Sequence, residues 1–103
     1  MSKTSQTTKS IIDYLNLQGH YAHRNHTTGI KGRTLAERSK YVGDILCCTK
    51  QGKWLEIEIK TDMDKLSEGQ VRRKEEILKR KGIYLEIKTF DEFLELYVNN
   101  RIT

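Results

Sequence analysis

The sequence predicts an α/β fold with α+β character, a mixed sheet flanked by helices on both sides. Residues 53–60 alternate cleanly, with Leu55, Ile57 and Ile59 facing one way and Trp54, Glu56, Glu58 and Lys60 the other. The Lys50-Gln51-Gly52 turn joins this strand to a strand-like run, Tyr41 to Thr49, as a hairpin. A helical segment at 67–81 and a strand at 83–88 follow, the length and pattern of a right-handed crossover. That makes strands 53–60 and 83–88 parallel.

The other elements follow in order. Ile11, Ile12, Tyr14 and Leu15 have helical spacing and Gly19 is a helix stop, so 5–18 reads as a helix. His20 to Asn25 reads as extended. His26 to Lys40 is polar, holds Gly29 and Gly32, and lacks an apolar period. It is a long basic loop, and a loop of that length in a compact domain is usually functional or disordered. Ser67 followed by Gln70 is a capping box opening the helix that Gly82 ends. Thr89 with Glu92 caps a last helix carrying Phe90, Phe93, Leu94 and Tyr97. With no proline, repeat or low-complexity linker, residues 1–103 are expected to form a single domain.

Charge is distributed unevenly. The net charge is +5, and residues 1–40 hold all of the excess, with seven Lys/Arg against Asp13 and Glu37. Such a local excess attracts a polyanion by releasing counterions, although a generic basic surface kept for solubility has the same composition. No stretch approaches the ~20 apolar residues of a membrane span, and the polar start lacks a signal-peptide core, so a cytoplasmic chain is expected. Adjacent Cys47 and Cys48 cannot frame a disulfide fold and read as reduced, mostly buried thiols. His20, His23 and His26 are three apart on an extended segment and therefore do not converge on a metal.

The chemistry concentrates around Glu58-Ile59-Lys60. Glu58 and Lys60 share a strand face, and Asp44, just after Gly43, can approach Glu58 across the hairpin. Two carboxylates and an ammonium beside a helix start suit phosphodiester hydrolysis. Hard carboxylate oxygens hold Mg²⁺ or Mn²⁺. The ion neutralises phosphate and acidifies a bound water, and a lysine beside it orients that water or offsets developing charge. The alternative is a salt-bridged, solvated hairpin face, since Glu-x-Lys is a common strand tripeptide.

Gly43-Asp44, then Trp54-Leu-Glu-Ile-Glu-Ile-Lys60, then Leu66-Ser67-Glu-Gly-Gln70 at a helix start, then Gly82 before a short strand, resembles the PD-(D/E)XK nuclease superfamily. Within it the pattern is most similar to the minimal, virus-type VRR-NUC domains of phages and bacteria, over residues 9–97. The resemblance implies a restriction-endonuclease-like core and a Mg²⁺- or Mn²⁺-dependent nuclease. It makes Asp44 and Glu58 metal carboxylates, the Ile59 carbonyl a backbone ligand, Lys60 the catalytic lysine and Gln70 the helix residue that reaches the active site. Arg24-Asn25 falls where the family often has an arginine and an asparagine after its first helix.

One position departs from the pattern. The family commonly places a glutamate near the start of the first helix, where this chain offers Gln6 and Ser10 and no acid before Asp13. Glu56 either compensates or, as the better expectation, is a surface charge. Trp54 either packs against the core or a helix, or stacks on a base. The basic run on the 67–81 helix reads as its solvated side, though Arg72 and Arg73 could touch a DNA backbone. With Arg24, Asn25, Lys31, Arg33, Arg38 and Lys40 they form the expected nucleic-acid surface. The expected function is a structure-selective DNA endonuclease acting on branched DNA or junctions, as a homodimer. The alternatives are a catalytically weak nucleic-acid-binding module of the same fold and an RNA-directed nuclease.

Overall fold

The computed structural model describes residues 2–26, 40–61 and 63–102. Seven elements run in order: α1 (Lys3–Leu17), β1 (Tyr21–Arg24), β2 (Ile45–Cys48), β3 (Trp54–Ile59), α2 (Glu68–Lys79), β4 (Ile83–Ile87) and α3 (Phe90–Asn99). They form one sheet of order β1-β2-β3-β4, with the first two pairings antiparallel and β3–β4 parallel. The expected mixed sheet, hairpin and crossover are all present. Lys31, Arg33 and Arg38, and with them most of the basic 26–40 segment, lie outside the described residues. Among the described residues no helix is long and apolar enough to cross a membrane.

Each helix begins where its cap places it. The Ser2 side chain accepts from the Ser5 N–H, starting α1 two residues earlier than its apolar spacing suggests. Ser67 and Gln70 form the full capping box of α2, and Thr89 accepts from the Glu92 N–H at α3. The apolar stripes of α1 (Ile11, Leu15) and α3 (Phe93, Tyr97) close over Ile45, Leu55, Ile57 and Ile87 in one buried cluster. Tyr14 meets Phe90, Phe93 and Tyr97 edge-on at its border.

Beneath that cluster His20 is buried. Its Nδ1 accepts the Lys50 N–H at 3.0 Å, which leaves Nε2–H to donate to the Tyr97 hydroxyl at 2.8 Å. Burial first, then the Lys50 charge, hold this imidazole below its ordinary pKa. His23 and His26 are exposed, so the three histidines do not converge. Cys47 is buried and Cys48 exposed, which corrects the expectation of two mostly buried thiols: alternation sends only one of them inward.

The second correction concerns the other side of the sheet. α2 crosses β3 and β4 on the face away from the core, so the side of β3 that alternation marks as polar is covered. Glu56 is fully buried and Glu58 nearly so. Glu56 is therefore not a surface charge.

Candidate active site

β3 carries the site at its C-terminal end. Continuing the β2–β3 register one step past Ile45↔Ile57 sets Asp44 opposite Glu58, on the α2 side of the sheet. Gly43 permits this approach: a Cβ there would lie 2.9 Å from the Ile57 carbonyl oxygen and 3.0 Å from the Glu56 Cγ. The chain thus settles onto β3, and the Asp44 carboxylate accepts the Ile59 N–H at 2.7 Å. Because N–H and C=O of one strand residue point to the same side, the Ile59 carbonyl is directed toward Asp44 as well. Its neighbour, the Lys60 N–H, turns the other way and donates to Ile87 at 2.8 Å.

Lys60 and Glu58 are joined by the helix cap. Gln70 Nε2 donates to Glu58 Oε1 at 3.1 Å, while its Oε1 accepts from Lys60 Nζ at 3.0 Å and from the Ser67 N–H at 2.8 Å. One amide therefore closes the capping box of α2 and bridges the strand's carboxylate to its ammonium. Two donors on Oε1 and a carboxylate on Nε2 leave the amide one sensible orientation. Lys60 Nζ stands 3.6 Å from Glu58, and both side chains are largely buried.

The electrostatics are unbalanced toward negative charge. Burial, then the Asp44 charge, push Glu58 up to about 7 against the opposing pull of Lys60, with Glu56 adding a smaller rise. A pair of hard carboxylates and a carbonyl, one carboxylate holding a proton near neutrality, is a donor set that a divalent cation fits. Asp44, Glu58 and the Ile59 carbonyl are the residues that could hold one. Among the described residues no three His, Cys, Asp or Glu side chains gather as a metal cluster, and Gln6 and Ser10 are exposed on α1.

Glu56 does not supply the third carboxylate. Its Oε2 accepts from the Gly43 N–H and from Arg73 Nε, each at 2.8 Å; its Oε1 accepts from Arg73 Nη2 at 2.7 Å and from the Trp54 indole at 3.1 Å. Four donors fill its acceptor sites. Arg73, expected on a DNA backbone, instead has its guanidinium forked onto this buried carboxylate. Its neighbour Lys74 pairs with Glu86 at 2.7 Å. Tyr84, opposite Glu56 on β4, brings a buried hydroxyl with no hydrogen-bond partner among the described residues. Burial, then Glu58 and Glu56, raise the pKa of that phenol.

The remaining expected residues are spread around this centre. Arg24 ends β1 opposite Ile45, and the Asn25 N–H donates to the Asp44 carbonyl at 2.9 Å, so both flank the site. Lys40 is exposed beside Tyr41, and Arg72 is exposed on α2, 3.7 Å from Glu68. Trp54 is 51% exposed, with its indole bonded to Glu56 and its Cβ beside Gly82, so the ring is half packed and half open. The spacing of Gln70, Arg73, Lys74 and Ile77, one stripe of a helix, was the signal that Arg73 and Lys74 face the sheet.

No family model and no curated protein matches the sequence. Among solved structures, a chain described as a VRR_NUC domain superposes with a TM-score of 0.70, covering 96% of this chain and 97% of that one at 17% identity. The fold is that of a VRR_NUC domain. At this identity the likeness establishes the architecture, including a hairpin followed by a helical crossover, and the site rests on this chain's own residues.

Proposed function

We propose that the chain is a Mg²⁺- or Mn²⁺-dependent nuclease that hydrolyses phosphodiester bonds in DNA, selective for branched structures. The observation that carries this reading is the grouping of Asp44, Glu58 and Lys60 at the end of β3, with Gln70 bridging Glu58 to Lys60 and the Ile59 N–H holding Asp44. The VRR_NUC fold supports it. Asp44, Glu58 and the Ile59 carbonyl would hold the cation, which when bound supplies charge neutralisation of the phosphate and a more acidic water. The Lys60 ammonium, held by Gln70, is positioned to orient the attacking water or to offset charge developing on the phosphate. Gln70 keeps the amine from collapsing fully onto Glu58. Arg24, Asn25, Lys40 and Arg72 would contact backbone phosphates, and such contacts orient DNA without reading its sequence. Recognition by shape follows, and a two-fold homodimer would present two centres to opposed strands.

A second reading, a binding module with weak catalysis, draws on the exposed Gln6 and Ser10, where an acid would complete the metal site. Incubating branched, duplex and single-stranded DNA with Mg²⁺ or Mn²⁺, with Lys60→Ala as control, separates the two. Metal-dependent cutting that the variant loses supports the nuclease; metal-independent binding without cutting supports the module.

A further inference from the structure

A groove of about 1070 Å³ runs along the flank of α2, between the helix and Tyr41, Lys53 and Trp54, larger than most small-molecule sites of ~300–1,000 Å³. Its direction follows from how α2 lies on β3. Gln70 bonds Glu58, Arg73 bonds Glu56, and Gly82 abuts Trp54, so α2 runs antiparallel to β3 from the candidate active site back to the start of the strand. Both ends carry an aromatic ring. At the near end Tyr41 packs on Gly69, where a Cβ would collide with the ring; Gly69 adjoins Gln70. At the far end stands Trp54, half exposed but with its indole N–H tied to the buried Glu56, so the ring is presented rigidly.

The rim is basic. Five Lys/Arg and two Glu line the groove. Lys53 and Lys81 form no ion pair among the described residues, and Arg72 has only a long contact with an exposed glutamate. The eleven residue steps from Gly69 to the helix C-cap Arg80 span roughly 17 Å at ~1.5 Å per residue. That accommodates about five nucleotides at ~3.4 Å each, fewer when extended.

We infer that this groove holds a single-stranded DNA arm continuous with the strand presented to the Asp44–Glu58–Lys60 centre, with Trp54 stacking on an unpaired base and Lys53, Arg72 and Lys81 contacting phosphates. A duplex offers no base face to a rigid, exposed indole, whereas a single strand does. The inference rests on the nuclease reading for what lies at the groove's near end, and it narrows the branched substrates to those with a free single-stranded arm, such as a flap or splayed fork.

Trp54 is the chain's one tryptophan, so its emission reports the groove directly. The test titrates the metal-free protein with an oligothymidylate and with a blunt duplex, then compares a flap with an armless four-way junction as substrates for wild type, Trp54→Ala and Trp54→Phe. Saturable quenching by the oligothymidylate, weakened by salt and by Lys53→Ala/Lys81→Ala, is expected. Trp54→Ala should lose about tenfold in affinity for the flap and little for the junction, and Trp54→Phe should recover most of the loss. Quenching by the single strand without cleavage of any DNA would support the groove while overturning the nuclease reading. Lys60-dependent cleavage with unchanged Trp54 emission, and flap binding by Trp54→Ala equal to that of wild type, would overturn the groove and leave the nuclease standing.

Discussion

The two faces of β3 are built from the same six residues and solve opposite problems. Toward α1 and α3, Leu55, Ile57 and Ile59 enter a dry layer whose cohesion is non-directional. Toward α2, Glu56 and Glu58 are almost as deeply buried, yet they are held by directed hydrogen bonds to Arg73 and Gln70. Within that second face the two glutamates also differ. Glu56 meets four donors, whereas Glu58 is bonded on one oxygen to Gln70, stands 3.6 Å from Lys60 and, through burial and then the Asp44 charge, is pushed up to about 7. Burial alone therefore does not separate the two carboxylates; the number of donors each one meets does.

The largest effect should come from breaking the completed pair. Arg73→Ala leaves the Glu56 charge buried without its partner and should cost about 3–5 kcal/mol in denaturant unfolding, with Arg73→Ala/Glu56→Gln less damaging than the single change. On the apolar face, Ile57→Ala should cost about 2–4 kcal/mol and leave cation affinity unchanged, since the cavity opens away from the carboxylates. Should the arginine variant prove milder than the isoleucine one, the α2 face is solvated in solution and the contrast fails.

The next effect is on cation affinity. A proton on Glu58 must leave before a cation binds, so affinity should fall about tenfold per pH unit below 7 and flatten above it. Calorimetry with Mn²⁺ at several pH values checks this slope, and Glu56→Gln should keep it. The smallest effect belongs to His20. Its folded pKa lies below the unfolded value of 6.5, so the unfolded chain binds the extra proton. Stability is full above that pH and declines as pH falls through it; His20→Gln should flatten that part of the unfolding profile.

Much of this was legible from residues. Alternation in 53–60, the caps at Ser67 and Thr89, and the strand–helix–strand spacing specify the β2–β3 hairpin and the parallel β3–β4 pair; the pairing of β1 with β2 was not legible in them. Gly43-Asp44 with Glu58-x-Lys60 is the sequence signal for the proposed centre. What alternation could not show is which polar face a helix covers, because period two separates two sides without saying which meets water. Glu56 and Arg73 were misread for that reason: a lone glutamate and a basic run look solvated until the stripe 70, 73, 74, 77 is laid on β3. Trp54 stayed open between packing and stacking because alternation assigns it to the α2 side without saying how far the helix covers it; about half of it is exposed.

The measurement that bears most directly on the centre is a paired one: Mn²⁺ titration by calorimetry and single-turnover DNA cleavage on the same preparations of wild type, Asp44→Asn and Lys60→Ala. Asp44→Asn removes a charged oxygen donor, so cation binding should weaken and excess Mn²⁺ should restore part of the cleavage. Lys60→Ala removes a neighbouring positive charge, so binding should hold or tighten while cleavage falls by at least about a hundredfold. Normal cation binding by Asp44→Asn, or wild-type cleavage by Lys60→Ala, would contradict the roles assigned here.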